Sequence, residues 1–421
     1  MLFRLSSRPI LVARAAIGPS RQLHRLCLRC ISADMVLSKT PPLTHPAFAA
    51  ASNRLTIDLG ALADNWRKMG KLSGKARAAA VLKADAYGIG LEPAAETLYA
   101  AGARDFFVAN AEEGADLRPF VPDGRIYILA GMWPGNEQLF FDNDLVPIIN
   151  SEEQLSLFMS AISQHGDHPC ALHVDTGMNR LGLTVGEALA LANDPVRPAS
   201  FSPVLVMSHL ACADDPSHPL NRRQMEAFRT VTQAYDGVTA SLANSAGVHL
   251  GPEFHFDLTR PGIAVYGGEA VNGMANPMKP VVTAEARIIQ VRSVRSGETA
   301  SYGASAQFSR DSRVAIVAVG YADGYHRSVS GGGVALRQAT PSGAFGFLHG
   351  QKVPHLGRVT MDISLFDVTD LPENAVRAGD YIELFGNNVA VDDVARAGGT
   401  IGYEMLTSLG HRYERDYIEA E

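Results

Sequence analysis

Residues 80–110 read AVLKADAYGIGLEPAAETLYAAGARDFFVAN. An apolar run ending in Lys83 is followed by a stretch with helical spacing of its apolar residues, and then by a second strand-like run, DFFVAN at 105–110. Strand, helix, strand in that order predicts parallel strands joined by a crossover helix. The rhythm continues on both sides. Strand-like runs recur at RLTIDL (54–59), AAAVLKA (78–84), RIYILA (125–130), LVPIIN (145–150), ALHVDT (171–176), VLVMSHL (204–210), ASLANS (240–245) and HFDLTRP (255–261). Helical patterns such as EEQLSLFMSAISQHG (152–166) lie between most of them. About eight such units predict a closed (β/α)8 TIM-like barrel. An open doubly wound sheet is the alternative, weakened in its dinucleotide-binding form because no strand is followed by GxGxxG. After about Pro280 the runs VTAEARIIQVRSV, RVAIVAVGY, GRVTMDISLFDVTD and DYIELFG predict a mostly β second domain. The predicted class is α/β + β: an N-terminal extension and linker over 1–53, a barrel over 54–280, and a β domain over 281–421.

The 421 residues, 46% apolar and 19% charged, can bury a large core, and two domains are expected at that length. A formal charge of −7 gives no electrostatic reason for nucleic-acid or membrane-surface binding. No apolar run approaches the roughly 18 residues a membrane span needs. Four cysteines, at 27, 30, 170 and 212, are too scattered for a disulfide framework and point to a reducing compartment. The first 33 residues hold six arginines, no lysine and no acid. This stretch reads either as an organelle transit peptide or as a translated region upstream of a start at Met35. Without it, 31 basic residues stand against 44 acidic ones, a charge of −13. Cytoplasmic location in a bacterium is the first expectation, an organelle the alternative. Residues 38–51 read as a loose connector, and 331–351 as a surface excursion of the β domain.

A lysine after an apolar strand is either a snorkelling surface residue or an amine whose burial lowers its pKa. The barrel reading separates the two, because barrel chemistry lies at the C-terminal ends of the strands. Lys83, Asn110, Asp175, His209, Asn244 with Ser245, and Arg260 each end a strand-like run. Two segments rich in glycine and small residues, SLANSAG (241–247) and TRPGIAVYGG (259–268), offer bare backbone N–H groups suited to a phosphate. A buried lysine opposite a phosphate site points to pyridoxal 5'-phosphate, held as a Schiff base. His209, Cys212, Asp214 and His218 lack a convincing metal-ligand spacing, so no metal is expected.

Eight motifs match one family. AVLKADAYGIG (80–90), HVDTGMNRLG (173–182), MSHLACAD (207–214), ANSAG (243–247), RPGIAVYG (260–267), SYGAS (301–305), GYADGY (320–325) and GRVTMD (357–362) occur in the order and approximate spacing of alanine racemases. The chain resembles that family from about residue 54 onward. The resemblance implies a pyridoxal phosphate enzyme with an N-terminal barrel and a β domain, acting on a small amino acid as a head-to-tail homodimer with shared active sites.

Carried over by matching positions, Lys83 is the cofactor-bearing lysine and the base on one face of the substrate. Tyr302 of a second copy is the base on the other. Inverting a stereocentre needs proton removal on one side and delivery on the other, which one rigid base cannot easily do. Arg260 faces the cofactor's ring nitrogen, and His209 links it to the tyrosine. Tyr87, Ser245, Tyr403 and the backbone of Gly262 and Ile263 hold the phosphate. Arg180 holds the ring hydroxyl and the substrate carboxylate, Met361 of the second copy offers its N–H to that carboxylate, and Tyr321 lines the entrance or orients substrate.

Two positions depart from the family's pattern. Many members carry a carbamylated lysine where this chain has His173. Arg180 must then be oriented by a neutral histidine, a bound anion or another side chain. Ile89 stands where histidine is frequent. The expected reaction is interconversion of L- and D-alanine by two-base proton transfer, supplying D-alanine for peptidoglycan. A serine or broad-specificity racemase is the alternative of the same fold. A non-catalytic pyridoxal phosphate-binding protein is the alternative of another class, disfavoured because a carrier has no use for Tyr302 and Met361.

Overall fold

The computed structural model of the chain describes residues 46–194, 201–330 and 343–419. The arginine-rich segment with its CxxC, and residues 331–342 of the excursion, lie outside the described residues.

Strands Arg77–Ala78 with Ala80–Val81, Asp105–Val108, Arg125–Ile128, Leu145–Ile149, Cys170–Asp175, Pro203–Met207 and Thr239–Ser241 pair in sequence order, each ladder parallel. Their burial explains the order. Asp105–Val108 and Leu145–Ile149 are buried at every position, as strands covered by helices on one side and core on the other must be. The last strand, Leu258–Thr259, pairs in parallel with Arg77–Ala78. Its other edge meets the seventh strand through Asp257 N–H to Ala240 O and Arg260 N–H to Ala243 O, which closes the ring. The crossover helices include Leu91–Ala100, Glu152–His165, Val185–Ala192 and Pro219–Ala234. Side chains that follow the strands start several of them: Asn110, Ser151 and Thr184 cap theirs, Thr184 in a full capping box with Glu187.

The run at 54–59 was expected in the barrel and is not there. Strand Asn53–Asp58 lies antiparallel to Val282–Val294 and parallel to Tyr413–Ile418, within the β domain's sheet. Alternation in that segment fits both environments, so only long-range pairing places it. The following helix Leu59–Leu72, capped by Asp58, packs against Leu91–Ala100 of the barrel. Residues 46–51 of the connector are not loose either. Pro46–Ala50 is a short helix, and the carbonyls of Ala49 and Ala51 accept the Arg287 guanidinium at 2.8 and 3.1 Å.

In the β domain Val282–Val294, Ser312–Val317, Ser364–Asp367, Gln351–Leu356, Phe345–Leu348 and Tyr381–Phe385 form a closed antiparallel cycle. The 13-residue strand Val282–Val294 serves both edges by shifting register between Ile288 and Gln290. One apolar core runs continuously from barrel to β domain, including Leu55, Phe107, Ile263, Ile288 and Leu406.

Candidate active site

A cavity of about 350 Å³ opens at the C-terminal ends of the barrel strands, lined by Lys83, Tyr87, His173, Arg180, His209, Ser245, Arg260, Gly262, Ile263 and Tyr403 among others. Nine of the twelve predicted site residues thus converge here, together with His173. Asn110 and Asp175, also expected at the rim, turn inward to backbone work. Asn110 Oδ1 accepts the Glu113 N–H, and Asp175 Oδ1 accepts those of Gly177 and Met178.

Lys83 leaves its strand into a turn that L-residues avoid. Ala84, Asp85, Ala86 and Tyr87 have φ of 56°, 53°, 51° and 56°, a short left-handed helix. Each such residue costs on the order of 1–2 kcal/mol, so the surroundings must over-determine it. Asp85 Oδ1 accepts the Leu91 N–H at 2.7 Å, and Glu113 accepts those of Ala84 and Ala109. Gly88, at φ 83°, presses on the Leu406 carbonyl, where no Cβ would fit. Tyr417 donates its hydroxyl to Ile89 O at 2.9 Å. Burial, and secondarily the Arg180 charge, hold the Lys83 amine below its ordinary pKa, with Glu113 opposing them.

Tyr87 is buried, its ring stacked on Tyr266 at 4.3 Å, while Tyr266 donates to Val81 O at 2.7 Å. Beside it Ser245 Oγ accepts the Gly262 N–H at 2.8 Å. A Cβ at 262 would collide with the Tyr87 hydroxyl. Tyr403 closes this end from the β domain's helix Gly402–Thr407. Burial pushes its phenol up to about 12, and pushes Tyr87 further still.

Arg260 is fully buried and meets no carboxylate among the described residues. It donates to Ser241 Oγ at 2.5 Å and Ser208 O at 2.6 Å, with His209 Nδ1 at 3.4 Å. Burial lowers its guanidinium to about 9, which leaves it charged at neutral pH. His209, pushed well below its ordinary pKa by burial and then by Arg260, is neutral. Because Nδ1 accepts from Arg260, its proton sits on Nε2.

His173 is held similarly. Its Nδ1 meets Asn150 Oδ1 at 2.9 Å, and the Asn150 amide nitrogen is committed as donor to Ile148 O at 2.8 Å and Leu129 O at 3.2 Å. Nδ1 therefore carries the proton and Nε2 keeps a lone pair. Burial, then the charges of Arg260 and Arg180, lower its pKa to about 4, so the imidazole is neutral. Arg180 is exposed at the mouth, and its guanidinium makes no hydrogen bond or ion pair among the described residues.

Tyr302, Met361 and Tyr321 are absent from this cavity. They are exposed by 68, 52 and 44% on the β domain. Ser301 Oγ accepts the Arg358 N–H at 3.0 Å, and Tyr321 N–H donates to Thr360 O at 3.0 Å, which gathers the three loops on one surface. Asn150, Glu113, Ser241 and Tyr266 were not singled out in the sequence. Asn150 carried the same signal as Asn110, a polar residue ending a strand-like run, and Glu113 stands at capping-box distance from Asn110.

Residues 57–270 match the family described as alanine racemase, N-terminal domain, and 281–417 that described as alanine racemase, C-terminal domain. The chain is 79% identical over 376 residues to the alanine racemase of Rhizobium meliloti (strain 1021), covering 89% of this chain and 99% of that one. It is 64% identical over 375 residues to the biosynthetic alanine racemase of Agrobacterium fabrum, covering 89 and 96%. The structure resembles that of alanine racemase from Bartonella henselae with covalently bound pyridoxal phosphate, at TM-score 0.80 and 35% identity over 87% of this chain and all of the other.

Proposed function

Since the chain belongs to the alanine racemase family, we propose that it interconverts L- and D-alanine with pyridoxal phosphate as cofactor, using Lys83 of one copy and Tyr302 of another as the two bases. One observation carries the reading: a single cavity joins an amine of depressed pKa to a buried arginine that meets no carboxylate among the described residues. The cavity fits the cofactor. Around Ser245 its wall is backbone and hydroxyl, made bare by Gly262 against Tyr87, which suits a phosphate. Arg260 lines the same cavity and would donate to a ring nitrogen.

When bound, the cofactor supplies an electron sink for the breaking Cα–H bond. Arg260 has only donors to offer, so it would hold the ring nitrogen unprotonated and keep that sink weak. Weak withdrawal favours plain proton exchange over further redistribution of electrons. The Lys83 amine, lowered by desolvation, takes or returns the α-proton on its face. The phenols inside the cavity, Tyr87 and Tyr403, are raised by burial and are poor bases near neutrality. Tyr302 is exposed, which supports its entry into the cavity of a second copy in a closed homodimer. His209 Nε2–H would then donate to its phenolate oxygen. Met361 travels on the same surface and would present its N–H to the substrate carboxylate, against Arg180. In place of a charged neighbour, His173 would offer Arg180 a neutral acceptor at Nε2. We place the enzyme in the cytoplasm, making D-alanine for the cell wall.

The test is racemisation of enantiopure L-alanine, followed by chiral chromatography in D2O with deuterium counted at Cα. Lys83→Ala is expected to abolish both signals, and borohydride is expected to fix the cofactor on Lys83. Full activity in Lys83→Ala would overturn the reading.

A further inference from the structure

The carboxylate of Glu113 is committed on both oxygens to backbone beside Lys83. Oε1 accepts the N–H of Ala84, the next residue, at 2.8 Å. Oε2 accepts the N–H of Ala109, which closes the adjoining strand Asp105–Val108, at 2.7 Å. The side chain projects from the first turn of helix Ala111–Leu117, whose start is fixed by Asn110 Oδ1 on the Glu113 N–H at 2.9 Å. A rigid helix end thereby brackets two neighbouring barrel strands at the point where one turns left-handed. The Ala84 N–H lies at the first of four consecutive left-handed residues, so this bond acts where the backbone is least willing to go.

We propose that Glu113 is a positioning residue for Lys83: it locks the left-handed turn that aims the amine into the cavity and sets a fixed negative charge behind it. The groups facing Lys83 make that charge matter. Lining the cavity with Lys83 are His173 in Cys170–Asp175, Arg180 from the loop after it, His209 after Pro203–Met207, Arg260 after the last strand, and the phenols of Tyr87 and Tyr403. Asp85, on the same turn, gives its Oδ1 to the Leu91 N–H. Glu113 is the carboxylate that opposes burial and Arg180 at the Lys83 amine. Without it the amine would be an easier proton donor and a poorer acceptor, and the turn would lose two bonds to a charged acceptor.

The proposal rests on Lys83 acting as a base, and the test separates the two ideas. Glu113→Gln, Glu113→Asp and wild type are compared as holoenzymes for kcat and KM against pH, for the pH titration of the visible band without substrate, and for melting temperature. Glu113→Gln keeps the size, loses the charge and turns an amide NH2 toward an N–H donor. It is expected to lower kcat by about tenfold or more with KM little changed, and to move the acid limb of kcat and the visible titration to lower pH by about one unit. Glu113→Asp, keeping the charge, is expected to restore the pH positions even where its shorter reach leaves kcat reduced. Wild-type pH positions in Glu113→Gln while Lys83→Ala is inactive would overturn the role of Glu113 alone. A loss of melting temperature with both pH positions unmoved would overturn it equally, since that is what a merely structural bond would give.

Discussion

If each active site takes Lys83 from one copy and Tyr302 from the other, two defective chains should repair one another. Lys83→Ala removes the amine from the cavity wall, and Tyr302→Phe removes only a hydroxyl that is exposed in the isolated chain. Each homodimer then lacks one base at both sites and should fall by about 10²- to 10⁴-fold, the usual worth of a positioned acid or base. A heterodimer of the two chains has one site lacking both groups and one site lacking neither. By the twofold equivalence of a closed dimer it should show about half of wild-type activity, and a fully exchanged equal mixture about one quarter. The assay is co-expression with two affinity tags, tandem purification of the heterodimer and racemisation of L-alanine. This outcome is specific to the two-copy geometry, because the cavity's own phenols are raised by burial and cannot stand in for Tyr302. A purified heterodimer no more active than its parents would show that Lys83 and Tyr302 do not meet across copies. Near wild-type activity in the Tyr302→Phe homodimer would remove the tyrosine from the mechanism altogether.

Three further outcomes follow from local geometry. Gly262→Ala drives a Cβ into the Tyr87 hydroxyl, which stacking on Tyr266 prevents from yielding, so affinity for pyridoxal phosphate should fall about tenfold or more. Absorbance titration of the stripped protein checks this, and adding Tyr87→Phe should recover part of the loss. Asn150→Ala releases the His173 tautomer and should raise KM for alanine about fivefold with a smaller change in kcat, the worth of one buried hydrogen bond. An unchanged KM would detach His173 from substrate binding. His355 is buried in the β domain with neither ring nitrogen bonded among the described residues, and burial lowers its pKa to about 4. Its neutral form is favoured in the fold, so nothing is lost above an unfolded pKa near 6.5, and stability drains as pH falls from there toward 4, by about 2 kcal/mol at pH 5. Denaturation midpoints at pH 8 and pH 5 should therefore move apart less in His355→Leu than in wild type, and equal spacing would refute the assignment.

Much of the fold was legible because its signals are local. The alternation of buried strands with amphipathic helices is written at short range, and so is the polar residue that ends each strand, which is how Lys83, His209, Ser245 and Arg260 could be placed on one rim. The same signal selected Asn110 and Asp175, which cap and brace backbone, since strand ends need such groups whether or not they carry chemistry. Strand Asn53–Asp58 shows the converse, with a pattern that suited the barrel and partners that belong to the β domain.

The order of residues along the chain by itself determined the class of fold, the amine, the arginine and the two backbone segments suited to a phosphate. Only tertiary structure decided that Ala84–Tyr87 turn left-handed, that Arg260 is buried with no acid beside it among the described residues, that Asn150 sets the proton of His173, and that Tyr302 lies outside its own chain's cavity. The division has a physical cause. Periodicity and end-of-strand polarity are set by neighbours a few positions away. Handedness against steric preference, the charge state of a buried group and the reach of a side chain are set by contacts between elements far apart in sequence, which no short stretch encodes.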